Sequence, residues 1–139
     1  MLSTSHILSC SPPHLVCELA EQVLTRYDRE AITFISGPRY VLVQLRVVDG
    51  VAETVFHAGE ILATETRLEL NGQFGFGMVI GRDADHATAL AVLDAALRMP
   101  GNPHADLYPR IAELERTLRA ACEQRFAAAA ATRVAFETF

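Results

Sequence analysis

Leu15, Leu19 and Val23 recur every four residues behind a serine and two prolines, the spacing of one face of a helix. Ser11 suits the N-cap and Pro12 the first helical position, where its missing N–H costs nothing. The stretch "SPPHLVCELAEQVLTRYD" therefore predicts a helix of about four turns. The period then falls to two. "AITFISG", "YVLVQLRVVDG" and "AETVFHAGE" are β-branched and aromatic runs broken at Gly37-Pro38 and Asp49-Gly50, and they predict successive strands with a tight turn at Asp49-Gly50. "ILATETRLEL" and "QFGFGMVIG" follow, divided by the hairpin signal Asn71-Gly72. The helical period returns in "RDADHATALAVLDAALRM", with Asp83 as N-cap and Leu90, Leu93 and Leu97 on the apolar side, until Pro100, Gly101 and Pro103 end it. From near Pro109 a longer helix carries Ile111, Leu114, Leu118 and Cys122 at three- and four-residue steps into "FAAAAA". In "TRVAFETF", Val134 and Phe136 alternate with Ala135 and Glu137 as in one more strand.

This order predicts an α+β fold in one domain over residues 1–139. A mostly antiparallel sheet of about five strands packs with an N-terminal helix and two C-terminal helices, and an extended segment closes the chain. That closing segment has no turn to fold it back within its last residues, so it would add a strand either to a partner's sheet or to its own.

The glycines of "GQFGFGMVIGRDADH" raise the first question of chemistry. A dinucleotide fingerprint needs G-x-G-x-x-G between a parallel strand and its helix. Gly75, Gly77 and Gly81 are one residue too widely spaced, and Gly75 and Gly77 fall inside a hairpin strand that leaves no room for a crossover. No Gly-Lys-Ser/Thr follows, so a P-loop fails as well. Parity instead places Phe74, Phe76, Met78 and Ile80 on one face, read as core, and Gly75, Gly77, Val79 and Gly81 on the other. Bare glycines on one face imply close approach of another backbone or a ligand, with another subunit as the leading candidate, or else a bent strand with an open back. A two-residue turn at Asn71-Gly72 would set Glu69 and Arg67 across from Phe74 and Phe76. The expected loop is therefore Leu70-Asn71-Gly72, which sets Leu68 against Phe74 and Thr66 against Phe76.

Candidate polar chemistry is sparse. Arg82, Asp83 and His86 gather at a helix start, where they could hold an anion or relay a proton; the plainer reading is a capping Asp83 and a surface His86. Asp94 lies among leucines, so an interface partner or a buried hydrogen bond is expected for it. No G-x-S-x-G or paired nucleophile and base supports covalent catalysis.

Composition narrows the classes. The chain has 139 residues, is half hydrophobic, and carries a net charge of −5 with no basic block, which disfavours a nucleic-acid surface. No apolar run nears the roughly 20 residues needed to span a bilayer. "MLSTSHILSC" lacks the charged and apolar regions of a leader, so the cytoplasm is the expected compartment. Cys10, Cys17 and Cys122 fit reduced thiols, and the five histidines have no metal-ligand spacing.

Several motifs together resemble the PhnG family, the G subunit of the carbon–phosphorus lyase core complex. They are Gly59-Glu60-Ile61-Leu62-Ala63-Thr64-Glu65, a glycine-bearing strand leading into Gly81-Arg82-Asp83, Asp94-Ala95-Ala96-Leu97, and Thr132-Arg133-Val134-Ala135-Phe136-Glu137-Thr138. In this order they cover roughly residues 40–138. The family's Arg/Trp-containing opening helix is unmatched by "MLSTSHIL", and its short basic tail is unmatched after Phe139. The resemblance implies a scaffold subunit working with the H, I and J subunits, in two copies within a hetero-oligomer, to form α-D-ribose 1-methylphosphonate 5-triphosphate from ATP and methylphosphonate. It implies ATP as co-substrate and an iron–sulfur cluster in the J subunit, with no cofactor and no catalytic residue in this chain. Together with the residue reading above, the candidate interface or motif residues are Gly59, Glu60, Gly75, Gly77, Gly81, Arg82, Asp83, His86, Asp94, Arg133, Val134 and Phe136. Two other classes stay open at this point: a stand-alone small-anion enzyme using Arg82, Asp83 and His86, and an unrelated homodimeric module.

Overall fold

A computed structural model describes residues 2–134. Two short helices open the chain in place of the single helix expected. Ser3 caps α1 (Thr4–Cys10) by accepting from the His6 N–H at 3.2 Å, so Thr4 to Leu8 of this opening stretch are helical despite its departure from the family pattern. Ser11 closes α1 rather than opening the next helix. Pro12 becomes the cap and Pro13 the first residue of α2 (Pro13–Leu24), a shift of one residue in the expected start. A single 3₁₀ turn, Arg29–Ala31, then leads into the sheet.

The sheet has three strands where about five were expected. β1 (Ile32–Val48), β2 (Val55–Leu70) and β3 (Gln73–Ile80) form one antiparallel meander in the order β1-β2-β3. Two pairs of expected strands merge because their apparent breaks are absorbed within a ladder. Register shifts between Phe34 and Arg39 take up the Gly37-Pro38 break, and another between Leu45 and Arg46 leaves Ala58 unpaired on β2. Bulges of this kind insert a residue and bend a strand without ending it. The β1–β2 connection is also longer than a two-residue turn. Asp49 N–H donates to Thr54 O, Asp49 O accepts from Glu53 N–H, and Glu53 rather than Gly50 adopts positive φ.

The β2–β3 connection corrects the expected register. Leu70 pairs with Gln73, Glu69 with Phe74 and Arg67 with Phe76. The loop is therefore the two residues Asn71 (φ 50°) and Gly72 (φ 82°), the positive-φ pair of a type I′ hairpin. Charges opposite Phe74 and Phe76 are tolerated because that side of the sheet carries no helix among the described residues. The Arg67 guanidinium lies 5.6 Å above the Phe76 ring.

The assignment of faces is likewise inverted. The covered face holds Thr64, Thr66, Leu68 and Leu70 of β2 with Gly75, Gly77 and Val79 of β3, all buried. Against it lies α3 (Ala84–Arg98), buried on nearly every side between the sheet and α1 and α2. An all-round apolar helix of this kind belongs in the middle layer of a fold. A Cβ on Gly75 would collide with the Ala91 carbonyl oxygen and Ala95, and one on Gly77 with the Ala87 carbonyl oxygen and the Ala91 nitrogen. The close neighbour inferred from the glycines is thus a backbone of the same chain, and the glycine face is core, not an interface. α4 (Leu107–Ala131) docks mainly against α1, with only Leu107, Ile111 and Leu114 buried. Thr132 caps α4 and Val134 is exposed; Ala135 to Phe139, including Phe136 and most of the expected closing strand, lie outside the described residues.

Candidate functional site

The β3 to α3 turn brings together part of the expected polar cluster. Asp83 caps α3 through Oδ1, which accepts the His86 N–H at 3.0 Å. Thr64 Oγ1 locks the turn from below, donating to Gly81 O at 2.6 Å and accepting from Asp83 N–H at 3.2 Å. Gly81 has φ 88°, and its N–H donates to Leu62 O. His86 is buried, contrary to its expected surface position, and its Nε2 lies 2.9 Å from Leu8 O. Only a protonated Nε2 can donate to that carbonyl, which fixes the tautomer and ties α3 to α1. Arg82 turns to the Tyr40 ring, with its guanidinium 5.4 Å from the ring centre. Asp83 and His86 line one cleft and Arg82 does not. The cap and the α1–α3 tie use two of the three side chains structurally, so the group does not form a convergent anion site.

Asp94 has the hydrogen bonds its position demanded. Its Oδ2 accepts the Phe76 N–H at 3.0 Å, and Oδ1 accepts from Arg98 Nε at 3.0 Å. The carboxylate thereby closes part of the open edge of β3, where an unpaired N–H invites pairing with another chain.

Two polar pairings escaped the sequence reading. Glu65 is buried at the centre of β2 on the side away from α3, and Arg39 Nε donates to it at 2.6 Å. The second is a staple at the far end of the molecule. Arg26 NH1 lies 2.9 Å from His104 Nδ1 and donates to Asp106 Oδ1 at 3.1 Å, while its NH2 reaches Asp106 Oδ2. Arginine can only donate, so Nδ1 is the acceptor and the neutral ring donates through Nε2 to Tyr27 Oη at 2.6 Å. Tyr27 in turn donates to Met99 Sδ at 3.2 Å. Burial, aided by the Arg26 charge and opposed by Asp106, lowers the His104 pKa. The only sequence signal was a histidine inside a Pro/Gly loop, which names no partner. Every buried side-chain nitrogen and oxygen among the described residues has a hydrogen-bond partner, and no group of three metal-ligating side chains occurs among them.

What remains open is an apolar surface. Beyond the last β3 pairing, Ala63 with Ile80, the β1–β2 ribbon continues alone through residues 42–48 of β1 and 55–62 of β2, seven and eight residues with the bulge at Ala58 taking up the difference. At roughly 3.3 Å per residue this is an arm about 23 to 26 Å long. One face pairs Val41 with Ala63, Val43 with Ile61, Leu45 with Gly59 and Val47 with Phe56, with no charged residue among them. The other face mixes Leu42 and Leu62 with Gln44, Glu60, Arg46 and His57. Val43, Leu45, Val47 and Phe56 are exposed. The apolar face runs on into the helix-free side of the sheet, ending at Ile80, which is 80% exposed. Of the motif residues, Gly59 and Glu60 lie on the arm, Gly75, Gly77, Gly81, Arg82, Asp83, His86 and Asp94 on the body, and Arg133 and Val134 just past α4. The structure gathers no single site from them.

A family profile described as "Phosphonate metabolism protein PhnG" matches residues 3–139. The chain belongs to the PhnG family. That membership assigns this PhnG protein a role in phosphonate metabolism. No curated protein matches the chain. No helix among the described residues is long and apolar enough to cross a membrane. For a PhnG chain whose buried polar groups are all engaged, the uncovered arm is the feature that fold stability does not explain: exposed contiguous apolar surface marks an interaction site.

Proposed function

We propose that this chain is the G subunit of a cytoplasmic carbon–phosphorus lyase core complex, present in two copies with the H, I and J subunits. In that assembly it is required to form α-D-ribose 1-methylphosphonate 5-triphosphate and adenine from ATP and methylphosphonate. Its own role is to present surface. The iron–sulfur chemistry of the later cleavage lies in the J subunit, and this chain supplies no catalytic group. The observation that carries the reading is the all-apolar face of the arm, Val43, Leu45, Val47 and Phe56, left bare by the other described residues. Displacing adenine needs a held triphosphate and a protonated leaving group, whereas the charged clusters here are spent on caps and staples.

Adenine release from ATP plus methylphosphonate tests the proposal. The purified chain alone should release none, the four-subunit mixture should release it, and omitting this chain should abolish it. Val43→Glu with Leu45→Glu should act like omission, because two carboxylates would have to be desolvated at the interface. Full activity in a mixture lacking this chain, or release by this chain alone, contradicts the proposal.

A further inference from the structure

β3 has one paired edge and one open edge. The two-residue turn makes Leu70–Gln73 a hydrogen-bonded pair, and the same parity covers Leu68–Gly75, Thr66–Gly77, Thr64–Val79 and, through Gly81 N–H to Leu62 O, the last pair. The N–H and C=O groups of Phe76, Met78 and Ile80 therefore point away from β2. Asp94 takes the Phe76 N–H; among the described residues nothing takes those of Met78 and Ile80. This open stretch is one wall of a cleft of about 1000 Å³, and α4 forms the facing wall with Leu118, Ala121 and Cys122. These three continue the helical steps of the buried Ile111 and Leu114. Thr132, Arg133 and Val134 are exposed and do not line the cleft.

We propose that a partner polypeptide docks an extended segment in this cleft, adding a strand at Met78 and Ile80 with apolar residues toward α4 and an acidic residue at Arg119 and Arg125. The proposal rests on the subunit reading above and gives the partner of the arm a second contact. A bare strand edge facing an apolar helix suits an extended peptide, because main-chain bonds supply affinity and alternate side chains supply selectivity. Charge selects the acidic residue. Arg125 enters no ion pair among the described residues, and Arg119 spends Nε and NH2 on Glu115 but not NH1. Of the two acids lining the cleft, Asp83 is committed to its cap, which leaves Glu123 against two guanidinium groups. Continuity selects the partner. Ile80, 80% exposed, ends both the strand wall of the cleft and the apolar face that runs down from the arm, so one molecule covers both without a gap. Asp94 and the Gly81 turn bound the open edge, and a segment of about five residues, roughly 17 Å, fills it.

Proline at position 80 removes the outward N–H without breaking a bond to β2, the placement that a strand tolerates for proline. Ile80→Thr keeps that N–H and the strand propensity while removing the apolar side chain. In mixtures with the H, I and J subunits, Ile80→Pro should lower recovery of this chain in the complex about tenfold or more, and Ile80→Thr should lower it much less. Arg125→Glu should also weaken recovery. Recovery of Ile80→Pro equal to that of the unaltered chain overturns the proposal. Amide exchange in the unaltered chain decides independently of any variant. Met78 and Ile80 should exchange fast in the chain alone and about tenfold slower or more in the complex. Slow exchange in the dilute chain alone assigns the edge to a segment of this chain, and slow exchange only at high chain concentration assigns it to a second copy; either overturns the proposal. Fast exchange at both residues in a mixture that assembles and releases adenine overturns it while leaving the subunit reading intact. A chain that enters no complex refutes the subunit reading and this proposal with it.

Discussion

β2 is one strand with two fates. Residues 63–70 lie between β1 and β3 under α3, and Thr64, Thr66, Leu68 and Leu70 are almost fully buried. Residues 55–62 have the same β-branched, alternating character and pair only with β1, and Val55 and Phe56 stand in solvent. Sequence pattern does not distinguish the halves; what differs is whether a helix backbone can come down on them. α3 can do so because β3 offers Gly75 and Gly77 to the Ala87, Ala91 and Ala95 side of the helix. The arm has no such layer among the described residues.

The comparison breaks first at the glycines. Gly77→Val places a side chain in the Ala87 carbonyl oxygen and should destabilise the isolated chain by about 3 kcal/mol or more, read as a lost or much lower melting transition. A folded Gly77→Val with unchanged melting would mean that α3 does not rest on the strand. Asp94→Ala comes next. Removing the acceptor of the Phe76 N–H should cost about 1–3 kcal/mol in urea unfolding, and Asp94→Asn, which keeps an acceptor, should cost less.

The staple at the opposite end sharpens the picture of a stable body. His104 has its folded-state pKa below the ordinary value near 6.5, so below that value the unfolded chain binds the extra proton. The contribution is fully present above about pH 6.5, declines as pH falls, and levels off once the folded state also titrates. Melting temperatures between pH 8 and pH 5 should follow that course, and His104→Asn should remove this part of the slope; an unchanged slope would exclude His104 as its source. Smallest of all is the effect of the arm on the isolated chain. Val43→Glu with Leu45→Glu should shift stability by no more than about 0.5 kcal/mol, and a large loss would mean the arm face is covered within the chain.

Much of the architecture was legible where local chemistry is decisive. Asp83 as a cap, Asn71-Gly72 as a turn, a hydrogen-bonded, half-buried Asp94 and a close backbone approach at Gly75 and Gly77 all follow from single-residue physics. The side of the sheet that is covered was not legible. Parity tells which residues share a face, and the larger set, Phe74, Phe76, Met78 and Ile80, looked like core although the helix lies on the glycines. The register error follows from the same assumption, since Glu69 and Arg67 opposite Phe74 and Phe76 are costly only if that face is dry. Strand number was misread because Gly37-Pro38 marks a break in the sequence but only a shift in the ladder. The pairing of His104 with Arg26, Tyr27 and Asp106 joins residues up to 80 positions apart, which no local pattern encodes.

Amide hydrogen exchange of the chain, alone and mixed with the H, I and J subunits, tests the central claim most directly. The account predicts fast exchange in the loop and outer edge of the arm when the chain is alone. On assembly, protection should rise within residues 41–62, while residues 63–70 and α3, already covered, change little. Unchanged exchange across the arm in a mixture that assembles and releases adenine would contradict the claim that the arm is the assembly surface.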